Sequence, residues 1–338
     1  MRAVGYQTSL PIEDVNALVD IELPEPEPAG RDLLVRVEAV SVNPVDTKVR
    51  KRAQPEPGHW KVLGWDVAGT VAAVGPEAGR FRPGDRVFYA GAIGRQGSNA
   101  ELHLVDERIV GRMPASLPFA EAAALPLTAI TAWETLFDRL EVRRPVPGAA
   151  NAVLIVGGAG GVGSIAIQLA RRLTDLVVIA TASRSETAAW CRELGAHHVV
   201  DHGKPLAAEV AALGLGEPGF VFSTTNTDRH LAEIAALIAP QGRFALIDDP
   251  AAVEISPFKR KSVSIHWELM FTRSLFDTPD MGEQGKLLDE VARLVDAGTL
   301  RSTFAESFGT ISAANLKRAH ALIESGRAKG KIVLAGWH

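Results

Sequence analysis

Gly158, Gly160 and Gly163 stand at the spacing G-x-G-x-x-G, directly after the apolar run 152–156 and directly before apolar residues at Val162, Ile165, Ala166, Leu169 and Ala170. Strand-length run, glycine turn and helical periodicity in that order suit a pyrophosphate cradle. Gly158 is expected to allow the sharp turn, Gly160 to let the backbone approach the phosphates, and Gly163 to let the helix lie close on the strand. Backbone N–H groups of Gly161 and Val162, at the helix start, then face the negative charge.

A second apolar run, 176–181, completes a β-α-β unit, and its end bears on which dinucleotide fits. An NAD site places an acid about 20 residues past the last glycine, where it takes the ribose 2′-hydroxyl. This chain has Ala182, Ser183 and Arg184 there. A small residue leaves room, a hydroxyl donates, and a guanidinium pairs with a 2′-phosphate. NADP(H) is therefore the expected cofactor. Ser223 and Thr224 close a fourth strand and Ile247 a fifth, so they border the crevice outside the carboxyl ends of the strands where ligands bind.

Metal chemistry has little to work with. Cys191 is the only cysteine, which excludes an intramolecular disulfide and a thiolate zinc site of the usual kind. His197 and His198 are adjacent on an expected strand and point to opposite faces. His59, His103, His202, His230, His266, His320 and His338 show no paired ligand spacing, and no metal is expected.

The elements that must position these residues fall into two groups. In the first part of the chain, runs at 3–6, 33–42, 69–74 and 86–89 read as short strands, broken by turn signals at Gly75-Pro76 and Arg82-Pro83-Gly84-Asp85. Such spacing indicates a small β-rich, barrel-like domain. Residues 114–140 turn helical, with an alanine-rich stretch and Pro118 in a first helical turn. After the glycine cluster, strands at 197–200, 220–223, 243–247 and 262–267 alternate with helices at 185–194 and 231–238, with Ser185 as N-cap and Gly195 as stop. That alternation is an α/β, doubly wound parallel sheet. Helices at 287–295 and 313–325 precede a closing strand, 331–334, that returns to the first domain.

The chain has 338 residues, 46% hydrophobic and 22% charged, which is ordinary globular composition for about two domains. A net charge of −4 without a basic block removes nucleic acid and anionic membrane from the expected partners. No apolar run of about 18 residues exists and the first residues do not read as a signal peptide, so a cytoplasmic protein is expected.

Gly84-Asp85-Arg86-Val87, the segment Leu127-Thr128-Ala129-Ile130-Thr131-Ala132-Trp133, the glycine cluster and the closing Gly330-Lys331-Ile332-Val333-Leu334 together resemble the medium-chain dehydrogenase/reductase superfamily over essentially the whole chain. The resemblance is nearest to its zinc-free quinone oxidoreductase branch and to the zinc-type alcohol dehydrogenase-like proteins. It implies a GroES-like catalytic domain, 1–126 with 269–338, split around a Rossmann NADP-binding domain, 127–268, with the active site in the cleft. The zinc ligands of the alcohol dehydrogenases fall here on Asn43, Trp65 and approximately Leu127, none a normal zinc ligand, and the four-cysteine structural lobe is absent.

The resemblance further implies a substrate-side loop, Asn43 to Lys48. In it Asn43 donates to the substrate oxygen, Asp46 organises the loop, and Lys48 and Arg50 serve as polarising cations or proton sources. Trp65 would wall a flat substrate, Thr128 and Thr131 would approach the nicotinamide, Met270 and Phe271, after the last strand, would cover it, and Lys331 would lie near the cofactor. The implied activity is NADPH-dependent, metal-independent reduction of quinones or α,β-unsaturated carbonyls, with a small electrophile as substrate. Homodimerisation through the edge strand at 262–267 goes with it. Two rival readings are an alcohol dehydrogenase with an unusual metal site and a catalytically slow NADPH-binding sensor.

Overall fold

The strand Ala150–Val156, whose last five residues are all buried, lies inside a six-stranded parallel sheet. Across that sheet the order is His198–Val200, Val177–Thr181, Ala150–Val156, Pro218–Ser223, Arg243–Leu246, Ser264–Trp267. Counted along the chain this is 3-2-1-4-5-6, the doubly wound order. Strands covered on both faces read as continuous apolar runs, and Pro218–Ser223 is buried at every residue. Leu154, Ile179, Val221 and Phe244 form the core of one face with Leu206, Val210, Ile234 and Phe258. The structure is a computed structural model that describes residues 1–337; His338 lies outside them. The chain divides into two units, one of Met1–Ile130 with Phe271–His338 and the other, which carries this sheet, Thr131–Met270.

Helix Gly161–Leu173 buries Ile165, Ala166, Leu169 and Ala170 of the periodic residues and leaves Val162 half-buried. Helix Ser185–Glu193 begins one residue earlier than a Ser185 N-cap requires: Arg184 is the N-cap, in extended conformation, and no side chain caps it. Thr187 Oγ1 instead donates back to the Arg184 carbonyl, at 2.9 Å. Gly195, at φ 111°, ends the turn as expected. The six-residue helix Leu206–Ala211 is too short for a periodicity signal.

In the other unit a seven-stranded sheet runs Phe304–Ser307, Lys331–Ala335, Asp32–Val42, Val67–Val74, Arg86–Tyr89, Val110–Arg112, with Leu102–Asp106 also paired to Asp32–Val42. A three-stranded sheet joins Val19–Glu22, Arg2–Tyr6 and Lys61–Val62. The closing strand does return to this unit, antiparallel to Asp32–Val42. Strands 19–22, 61–62, 102–106, 110–112 and 304–307 are five residues long or shorter, too brief for a period-two pattern to announce them. The helical stretch near 114–140 is three pieces, Phe119–Ala122, Pro126–Trp133 and a π-helical turn Glu134–Arg139, and Pro118 is the N-cap of the first.

One expected loop is a helix. Asn43 is extended, at φ −125° and ψ 158°, and caps Pro44–Arg52, with Pro44 in the first turn. The motif Asn-Pro-x-Asp is therefore a helix start, which holds its acid at a fixed place.

Candidate functional site

Three neighbouring strands bring four polar residues together in the first unit. Ile332 pairs with Val42, so one step further along the ladder Lys331 stands across from Asn43. On the other side Val40 pairs with Val67, and the Ser41 N–H donates to the Asp66 carbonyl at 3.2 Å. Lys331 Nζ reaches Asp66 Oδ2 at 2.9 Å and the Val42 carbonyl at 3.1 Å, and donates to Asn43 Oδ1. The Asn43 amide donates to Asp66 Oδ2 at 2.8 Å, and the Leu127 N–H donates to Asp66 Oδ1 at 2.7 Å. Asp46 accepts from the Asn43 N–H at 2.7 Å. Asn43, Asp46, Asp66 and Lys331 are all buried.

Two carboxyls and one ammonium out of water do not balance. Burial pushes Asp66 upward, opposed chiefly by the Lys331 ammonium. Burial raises Asp46 to about 7, with the Asn43 N–H and Lys331 opposing it and the Asp66 charge adding to it. Lys331 neutralises its direct partner, so Asp46 is the group left holding a proton near neutrality. A carboxyl poised there is suited to proton exchange. Asp66 belongs to no motif; its one signal in the sequence is an acid heading the apolar run 67–74.

Of the residues expected on the substrate side, Asn43 and Asp46 belong to this cluster, and Lys48, Arg50 and Trp65 have other surroundings. Asn43 spends its amide on Asp66 and on the Ser41 carbonyl, so the expected donor to a substrate is a positioning residue for Asp66 and Lys331. Arg50 is fully buried and pairs with Glu324 of helix Ala313–Glu324, with a further bond to the Leu10 carbonyl, so it braces two helices rather than serving a substrate. Lys48 is half-buried on helix Pro44–Arg52. Trp65, 1% exposed, meets Phe271 edge-on at 6.3 Å, and its indole N–H has no hydrogen-bond partner. The expected aromatic wall is a buried one.

A zinc ion does not fit these donors. Of the three matching positions, Asn43 has its amide engaged on both atoms, Trp65 offers an indole, and Leu127 offers an N–H already given to Asp66. The Lys331 ammonium would repel a dication beside it. Among the described residues no three His, Cys, Asp or Glu side chains are grouped as a metal would need.

A dinucleotide does fit the glycine turn of the second unit. The left-handed residue is Gly157, at φ 80°, not Gly158. Gly158 is needed for a different reason: a Cβ there would lie 2.8 Å from Ala180 Cβ and 3.1 Å from Cys191 Sγ. A Cβ on Gly163 would run into the Gly157 carbonyl, which is the close helix-to-strand approach expected of it. A Cβ on Gly160 would meet nothing nearer than 3.6 Å, so this glycine keeps space open for a ligand instead of for the protein. No side chain caps helix Gly161–Leu173, and its first N–H groups, at the half-buried Gly161 and Val162, are available to a phosphate. The turn is held against the second strand by Gly157 N–H donating to Thr181 Oγ1 at 3.0 Å and Gly158 N–H donating to the Thr181 carbonyl at 3.1 Å.

Around this turn Ser183 and Arg184 are exposed at the end of Val177–Thr181. Thr224 Oγ1 donates to the Val156 carbonyl at 2.8 Å and packs over Gly157, and Ile247 is half-buried at the end of its strand. Ser223 is buried and its hydroxyl bonds Thr227 Oγ1 at 2.8 Å; Thr227 is in turn fixed by Asp248, at 2.9 Å from its N–H. Ser223 therefore supports the first turn of helix Thr227–Leu237. Thr128 turns its hydroxyl to the Leu125 carbonyl, and Thr131 accepts on its carbonyl from Thr135. Met270 and Phe271 are buried. The bonds of Thr181 and Thr227 follow no motif and emerge only from the fold.

Residues 29–115 match the family described as the alcohol dehydrogenase GroES-like domain, and residues 194–334 that described as zinc-binding dehydrogenase. The chain is similar to a zinc-type alcohol dehydrogenase-like protein of Staphylococcus aureus strain MSSA476, at 39% identity over 99% of both chains. A quinone oxidoreductase of Pseudomonas aeruginosa is 31% identical, over 91% of this chain and 92% of its own. A solved protein of Rhizobium etli CFN 42, named for the zinc-dependent alcohol dehydrogenases, superposes with a TM-score of 0.99 at 68% identity, covering 100% of this chain and 98% of that one. The chain belongs to the medium-chain dehydrogenase/reductase superfamily, among its zinc-type alcohol dehydrogenase-like proteins, and is an oxidoreductase of that superfamily.

Proposed function

We propose that the protein is an NADPH-dependent, metal-independent oxidoreductase that reduces quinones or α,β-unsaturated carbonyls. The observation that carries this reading is the Lys331 ammonium between Asp66 and Asn43, among residues that match the zinc ligands of the alcohol dehydrogenases. The similarity to a quinone oxidoreductase supports it. NADPH, when bound, supplies a hydride to an electron-poor carbon and leaves as NADP⁺. The conjugated oxygen then needs one proton and no Lewis acid.

The chain's own contributions follow from its geometry. The glycine turn and the start of helix Gly161–Leu173 bind the pyrophosphate. Arg184 and Ser183 favour a 2′-phosphate through charge-assisted bonds. Lys331 and Asp66 hold Asn43 and the helix start rigid, and Asp46 stores a proton at its carboxyl near neutral pH. The edge strand Ser264–Trp267, whose Trp267 is 54% exposed, supports a homodimer that covers it.

The test is NADPH oxidation by chelator-treated protein against simple quinones, enones and aldehydes, with NADH in parallel. Turnover of quinones or enones that prefers NADPH and is indifferent to chelation is expected. Aldehyde turnover lost on chelation and restored by zinc would overturn the proposal in favour of an alcohol dehydrogenase.

A further inference from the structure

At the ends of the second and third strands of the parallel sheet, a hydrogen-bonded chain links the glycine turn to a pair of histidines. Thr181 and Val200 are paired in register, which sets Ala182-Ser183-Arg184 beside Asp201 and His202. Gly157 N–H donates to Thr181 Oγ1 at 3.0 Å, and Thr181 Oγ1 lies 3.0 Å from His202 Nδ1. The hydroxyl accepts from Gly157 and keeps a hydrogen and a second lone pair, so it can donate to an unprotonated Nδ1 or accept from Nδ1–H. The His230 ring, on helix Thr227–Leu237, has its centroid 6.1 Å from that of His202. Both rings are half-buried.

We infer that His202 is a specificity-determining residue for a ribose 2′-phosphate, taking up a proton as that phosphate binds, so that the preference for NADPH over NADH strengthens as pH falls. The inference rests on the NADPH reading above and adds a titrating group to the fixed charge of Arg184. In a doubly wound sheet the ribose of the first nucleotide lies at the end of the second strand. Here that end offers no acid, and the end of the adjacent strand offers an imidazole.

The physical basis is an imidazole kept neutral until an anion arrives. Burial holds His202 below the ordinary histidine range, with Asp201 pulling the other way. Burial likewise holds His230 down, together with His202 and Arg229, against Asp228 and Glu233. Glu209, on helix Leu206–Ala211, faces the same turn through the Asp201 N–H, at 3.3 Å, and Lys204 faces Glu209 at 3.8 Å. A phosphate carrying nearly two negative charges outweighs the effect of burial at contact distance. On protonation the Thr181 hydroxyl need only turn, accepting from Nδ1–H while it still accepts from Gly157.

The experiment uses the full chain and two probes that lack nicotinamide, adenosine 2′,5′-bisphosphate and adenosine 5′-monophosphate. Their affinities are measured by calorimetry at about pH 6 and about pH 8. The titration of His202 is followed by imidazole NMR with and without the bisphosphate. Binding of the bisphosphate to the wild type is expected to weaken up to about tenfold more, between the two pH values, than binding to His202→Gln. Gln keeps an acceptor for Thr181 and does not titrate, and the phosphate's own protonation is common to both proteins. His202 is expected to titrate about one unit higher in the complex.

Identical pH dependence in wild type and variant, or an unmoved His202 titration while the bisphosphate still binds more tightly than the monophosphate, would overturn the inference and leave the NADPH reading standing. A bisphosphate that binds no more tightly than the monophosphate would remove both.

Discussion

Asp66 and Lys331 show how one buried pair organises a site. Each is out of water, so removing either leaves an uncompensated charge, which costs about 3–5 kcal/mol. Lys331→Met is expected to lower stability by about that amount. The double change with Asp66→Asn should cost clearly less than the sum of the two single changes, a coupling readable by denaturant unfolding. Asp46 carries a pH signature. Its carboxyl titrates at about 7 in the folded protein against 3.8 as the ordinary value, so the fold binds this proton more tightly than the unfolded chain does. Its contribution to stability is complete below about pH 4 and is lost as pH rises to about 7. Asp46→Asn should remove that loss, and unfolding curves at pH values across this window check it. At the cofactor, Arg184→Ala should weaken NADPH binding by about 1.5–3 kcal/mol and leave NADH binding unchanged.

Among the elements, the glycine turn makes the sharpest contrast. A methyl group on Gly163 collides with the Gly157 carbonyl, whereas one on Gly160 has 3.6 Å of clearance. Gly163→Ala should therefore lower the melting temperature. Gly160→Ala should leave it nearly unchanged, yet weaken cofactor binding by intruding where phosphates approach. Melting curves and cofactor titrations on both variants separate the two roles. The turn and the parallel sheet were legible because glycine spacing and continuous apolar runs are local signals. The left-handed residue at Gly157 was misplaced by one, since the motif spacing does not say which glycine makes the turn and which relieves a contact with Ala180 and Cys191. The Asn43–Asp66–Lys331 cluster was half legible. Its members were visible one by one, but their meeting depends on strand register across the closing strand, which no local pattern encodes. For the same reason Asn43 read as a substrate donor, and only the bonds to Asp66 and Lys331 show its amide engaged.

For the whole molecule, two buried histidines are expected to lower stability in acid. His320 is fully buried with no hydrogen-bond partner on either ring nitrogen; burial, with Arg50 and Lys51 nearby, drives it to about 3 from 6.5. His103, bonded to Tyr89 at 2.9 Å, is driven to about 4, chiefly by burial. Folded pKa values below the unfolded ones mean stability that is present above about pH 6.5 and lost as pH falls. The trend opposes that of Asp46. His320→Leu should gain about 2 kcal/mol relative to wild type on going from pH 8 to pH 5, and a difference independent of pH would show that His320 is not responsible.

Metal-free hydride transfer to a conjugated carbonyl or quinone can be followed by a single turnover in stopped flow. Chelator-treated protein is loaded with NADPH deuterated at C4 or with ordinary NADPH and mixed with an electron-poor quinone. The reduced-cofactor absorbance is expected to be lost in one turnover, more slowly with the deuterated cofactor and unaffected by added zinc. Absorbance that stays constant until zinc is supplied would contradict metal-free transfer.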